Sequence, residues 1–123
     1  MLARLPVLGA ALSLVTACHG DGAARLQGSW HGVRAEGVAA DALASANAFA
    51  LGTELEVKGD ALVVTNPGDT QSGRYRVVKQ DRTTVVITTD KDGADAPQTF
   101  VFADDKTLRW VMPDGKAIVF VRP

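Results

Sequence analysis

Between residues 29 and 122 apolar side chains return at every second position, and turn-forming residues interrupt the runs roughly every 8–12 residues. A period of two places alternate side chains on opposite faces of an extended chain, so the pattern excludes a helical bundle and calls for a sheet with one apolar face. The turns locate the strands. Gly59-Asp60 is a two-residue loop whose leading glycine suits a primed hairpin turn, and it joins strands predicted over 53–58 and 61–65. Asn66-Pro67-Gly68-Asp69 supplies Pro then Gly at the centre of a type II turn and leads to a strand over 73–79. Gln80-Asp81-Arg82 precedes a strand over 83–89, and a longer loop over 90–97 precedes 98–103. Asp104-Asp105 then turns into 106–112, and Pro113-Asp114-Gly115 into 116–122. With a first strand over 29–35, the chain has eight strands.

One face of these strands collects Trp30, Leu55, Val57, Leu62, Val64, Tyr75, Val77, Val85, Ile87, Phe100, Phe102, Leu108, Trp110, Met112, Ile118 and Phe120. One face implies one core, as expected for 123 residues of which 46% are hydrophobic. Sequential antiparallel strands remove both sheet edges by closing on themselves. The predicted fold is all-β, a small antiparallel eight-stranded up-and-down barrel over residues 26–123. One stretch breaks the period. Residues 38–51 are alanine-rich and end at Gly52, which predicts a short helix inserted between strands one and two. Leu43, Ala46 or Asn47, and Ala50 recur along it at helical spacing; a flexible loop is the competing reading. Such a helix has two places to lie, across the barrel mouth as a lid carrying Leu43 and Phe49, or against the outer wall.

Ahead of the strands, Arg4 is followed by an apolar run over 5–15 that is too short and alanine-rich to span a bilayer, the form of a secretory signal. Val15-Thr16-Ala17-Cys18 closes it, and Cys18 is the only cysteine of the chain. These four residues resemble the lipobox of bacterial lipoproteins, in which small residues precede a cysteine that receives diacylglycerol. The resemblance implies a signal peptide over 1–17 and lipidation of Cys18. It also implies a membrane anchor worth roughly 0.8 kcal/mol per buried CH₂ with no transmembrane helix. The alternative is an ordinary signal peptide cut after Ala17 that leaves a free thiol. His19 rather than Asp follows the cysteine, which in the enterobacterial sorting pattern implies the outer rather than the inner membrane. Residues 18–25 then read as a short flexible tether to the barrel.

Gly28-Ser29-Trp30 at the start of strand one resembles the G-x-W signature of lipocalins, whose Trp plugs the closed end of the barrel. In that family an arginine after the last strand stacks over this Trp, and Arg122 occupies the matching place, in phase with Ile118 and Phe120. The resemblance therefore implies a lipocalin-like barrel with Trp30 and Arg122 as a structural pair. The domain is shorter than typical lipocalins and has neither their C-terminal helix nor a disulfide. Its size is closer to the compact lipocalin-like domains of bacterial lipoproteins, among them periplasmic inhibitors.

The remaining residues argue against catalysis and cofactors. The formal net charge is -1, no footprint for nucleic acid. His31 is the only histidine of the domain and faces outward, so neither a zinc set nor a nucleophilic triad can be assembled around it or around Ser29 or Ser72. Asp90-Lys91-Asp92-Gly93-Ala94-Asp95 has a superficial likeness to a calcium loop, but Val101 stands where an EF-hand needs its twelfth-position Glu. Glu54 and Glu56 share the outward face of their strand. The expectation is a non-enzymatic domain of the bacterial cell envelope without metal or cofactor. Two function classes stay open: a protein-interaction or inhibitor domain with an envelope protein as partner, and a binder of a small hydrophobic ligand in the barrel. For the first, the outward phase of Val33, Val101, Val111, Val119 and Val121 marks a candidate apolar patch.

Overall fold

In a computed structural model that describes residues 21–123, the period-two runs form a single closed barrel. The leader, Cys18 and the start of the tether lie outside the described residues. The order is α1 (Asp21–Leu26), β1 (Gly28–Glu36), a 3₁₀ turn (Ala40–Ala42), α2 (Leu43–Leu51), β2 (Glu54–Lys58), β3 (Ala61–Asn66), β4 (Asp69–Gln80), β5 (Thr84–Thr89), β6 (Gly93–Asp104), β7 (Thr107–Val111) and β8 (Ala117–Val121). Each strand pairs antiparallel with the next, and β8 pairs with β1. All the predicted inward residues except Met112 join one core, which Leu26 of α1 completes from below.

Four features depart from the sequence reading. The segment expected as a tether is helical from Asp21, and Leu26 is fully buried, because α1 seats an apolar residue under the barrel floor. Second, β4 begins at Asp69 rather than at residue 73. Gly68 takes a φ of 84°, which lets the turn close directly into the pair Asn66–Asp69. Third, the loop expected over 90–97 is mostly strand. Lys91 and Asp92 turn into Gly93 at φ 83°, and residues 94–97 bulge between the pairs Thr89–Gly93 and Ile87–Gln98. Finally, β1 carries a bulge at Val33, between the pairs Gly32–Phe120 and Arg34–Val119. The extra residue inverts the phase, so Ala35 lies opposite inward Ile118 while Arg34 and Glu36 take the outer side.

The helix between β1 and β2 forms as expected, but its barrel-facing stripe is small. Ala46, Asn47 and Ala50 turn toward the barrel, and Ala50 is fully buried. Leu43 and Phe49, the lid residues of the sequence reading, are 40% and 45% exposed. The physical reason is Gly32. It is in the inward phase of Trp30, and a Cβ there would run into the carbonyl oxygen of Ala50. The last turn of α2 therefore rests backbone against backbone on β1, too close for large side chains to intervene. Asn47 Oδ1 accepts the Ala35 amide at 2.8 Å, and Gly32 N–H donates to Thr53 O at 2.9 Å.

Candidate functional site

The barrel has a sealed floor and a notched mouth. At the floor, Trp30 is 1% exposed, and its Nε1 donates to Leu26 O at 2.9 Å. The Arg122 guanidinium lies 4.2 Å from the Trp30 ring centre, within cation–π range. Its Nη1 also donates to Arg25 O and Gln27 O, and its Nε to Asp105 O, each at 2.9 Å. A second pair stacks beside it, with Arg25 4.5 Å over Phe102 and bridged to Asp105 at 3.2 Å. Gln27 Nε2 donates to Gly59 O and to Tyr75 Oη, while the Tyr75 hydroxyl donates to Gly59 O at 2.8 Å. Burial pushes the Tyr75 hydroxyl above its ordinary pKa, so it stays a neutral donor. Apart from Arg25 Nε, which is buried without a partner among the described residues, these groups spend their hydrogen bonds on one another and on backbone, as a structural plug does.

The mouth differs. A cavity of about 110 Å³ opens there, floored by Leu62, Val64, Phe100 and Trp110 and rimmed by Gln71, Thr89, Lys91, Asp92 and Gln98. Trp110 stacks on Phe100 with ring centres 5.5 Å apart, and its Nε1 donates to Gln98 Oε1 at 3.0 Å. On the opposite side α2 closes the opening, tied down by the Thr53 hydroxyl, which donates to Phe49 O at 2.7 Å. Neither Leu43 nor Phe49 lines the cavity, so the lid covers only the β1–β2 side.

The valines of the sequence reading are neighbours on the outer wall but do not form a bare patch. Val119 lies directly between Arg34 of β1 and Arg109 of β7, and Arg109 lies between Val119 and Val101. Glu36 joins the two arginines, with Oε1 2.6 Å from Arg109 Nη2 and Oε2 3.3 Å from Arg34 Nη2. This ion network crosses the wall, Val119 is fully buried, and Val33, Val101, Val111 and Val121 are half-buried. The bulge at Val33 brings Arg34 and Glu36 to the outer side, where strict alternation places Val33 and Ala35.

His31 sits on the outer wall, its Nδ1 3.3 Å from Glu54 Oε2, with both side chains more than half exposed. Among the described residues no three His, Cys, Asp or Glu side chains come close enough to hold a metal ion. Asp90 and Asp92 of the calcium-like stretch are committed to the turn: Asp90 Oδ1 accepts the Arg74 amide at 3.0 Å, and Asp92 Oδ2 accepts the Thr89 hydroxyl at 3.1 Å.

Compared with protein-family models, with curated proteins and with solved structures, the chain matches none. The site rests on its own geometry. Sequence reasoning located Trp30 and Arg122 but missed the mouth, because its rim is built from polar and charged residues, Gln71, Thr89, Lys91, Asp92 and Gln98, which carry no apolar period. The one available signal was Gly73, a glycine in the inward phase of a strand.

Proposed function

We propose that this chain is a lipid-anchored, non-enzymatic lipoprotein of the bacterial cell envelope whose lipocalin-like barrel acts as a protein-interaction or inhibitor domain. The observation that carries the reading is the filled interior. Pockets for small-molecule ligands run to about 300–1,000 Å³, whereas the cavity here is about 110 Å³. Aromatic and aliphatic side chains occupy the space in which a carrier would hold its cargo. A barrel of this kind is a rigid scaffold that presents its rim to other molecules. The anchor is supported by the four residues ending at Cys18, followed within three residues by the helix that plugs the barrel floor.

The test is expression in a bacterial host with labelled palmitate, followed by solvent extraction of the purified protein. Wild type should take up label and fractionate with membranes, and Cys18→Ser should release it. Extracts of the released protein should contain no stoichiometric lipid by mass spectrometry. Unlabelled, soluble wild type would refute the anchor, and a stoichiometric extracted lipid would favour the carrier function instead.

A further inference from the structure

The upper half of β4 has a partner on one side only. Residues 69–74 pair with β3, but pairing with β5 begins at Tyr75. The ladder ends where the Asp90 amide donates to Arg74 O and the Arg74 amide donates to the Asp90 carboxylate, which takes the place of the next strand carbonyl. Backbone groups alternate sides along a strand. Tyr75 N–H points to β3, where it donates to Asp60 O, and Arg74 points the other way. By the same alternation the N–H and C=O groups of Thr70 and Ser72 point away from β3, along an edge with no strand beside it among the described residues. Both residues are exposed. The cavity opens beside this edge, and its lining runs from Ser72 and Gly73 down to Phe100 and Trp110.

We propose that an extended peptide segment of a partner protein docks here, adding a strand along residues 70–72 and placing one branched aliphatic side chain in the cavity. This rests on the protein-interaction reading and names its site. Two independent observations select the occupant. Unpaired strand amides and carbonyls at fixed spacing are complementary to another extended backbone. The cavity volume limits the occupant to about one side-chain-sized group, since an apolar cavity of roughly 150 Å³ takes one benzene, and a strand on the adjacent edge delivers such a group.

The probe is the hexapeptide acetyl-Thr-Val-Thr-Val-Thr-Val-amide, titrated into the full-length lipidated protein in detergent and followed by backbone amide NMR. The expected result is shifts confined to the edge and the cavity lining, residues 62–66, 70–74, 89–100 and Trp110, with saturation below about 1 mM. N-methylation of one alternating set of peptide amides, threonine or valine, should abolish binding while methylation of the other preserves it. Ser72→Pro removes an edge N–H that the β3 ladder does not use, and should weaken binding about tenfold with an unchanged melting temperature. Leu62→Trp fills the cavity and should also weaken binding, here with a lowered melting temperature because Leu62 belongs to the core. Absence of shifts, insensitivity to both methylated sets, or equal loss with both overturns the proposal. A partner captured in cells by cross-linkers placed on another face also overturns it, yet leaves the interaction-domain function standing. Failure of lipidation strikes that function and not this edge.

Discussion

Arg122 acts twice at the floor: its guanidinium lies over Trp30, and its N–H groups hold the carbonyls on either side of Leu26. Truncation of Trp30 to Ala removes a fully buried aromatic and should cost about 3–5 kcal/mol in denaturant unfolding. Because the two side chains meet, Arg122→Ala should not be additive with it, and a double-mutant cycle should show coupling of roughly 0.5–3 kcal/mol. Strict additivity would mean that Arg122 works only through its carbonyl contacts. This pair was expected from the resemblance of Gly28-Ser29-Trp30 to a G-x-W signature, and the alternation added only that Arg122 continues the inward phase of Ile118 and Phe120. The matching stack of Arg25 on Phe102 was not, because Arg25 precedes the first strand and belongs to no alternating pattern.

Among the elements, α2 makes the tightest backbone approach to a strand, at Gly32. Gly32→Ala would drive a methyl group into the Ala50 carbonyl, so the last turn of the helix must lift off β1. The expected outcome is a loss of about 1–3 kcal/mol, with faster hydrogen exchange at Thr53, whose N–H donates to Ala50 O. Unchanged exchange at Thr53 would mean that the helix does not depend on this contact. The strands were legible wherever one face is buried in the core. The early part of β4 and residues 93–97 of β6 were read as loop, because strands that line an open mouth bury no apolar face and leave no period in the sequence. The helix itself was evident in its run of alanines, but not its orientation. The stripe of Leu43, Ala46 or Asn47, and Ala50 was legible, but a lid and an outer-wall position both stayed open, and the close approach at Gly32 turns Ala46, Asn47 and Ala50 rather than Leu43 and Phe49 to the barrel.

For the molecule as a whole, closure was legible because eight runs joined by short turns leave no other way to hide two edges; the bulge at Val33, which decides what the outer wall carries, was not. Three hairpins are pinned by aspartates that accept backbone amides: Asp81 from Thr83, Asp104 from Lys106 and Asp114 from Lys116. These hydrogen bonds hold each carboxyl below its ordinary value of 3.8. The contribution is full above the unfolded carboxylate range and is lost as pH falls through 3.8 and below, so melting temperature should drop between about pH 5 and pH 2. Replacing all three by Asn keeps an acceptor that cannot titrate and should flatten that drop; an unchanged acid limb would assign it to other carboxylates. The pairing of β8 with β1 carries one more consequence. The bond from Arg122 to Arg25 O spans 97 positions of sequence, so the floor cannot seal until nearly the whole domain has left the ribosome. A stop codon between Val111 and Ala117 would leave seven strands with two unpaired margins, a product expected to aggregate rather than to close into a smaller barrel.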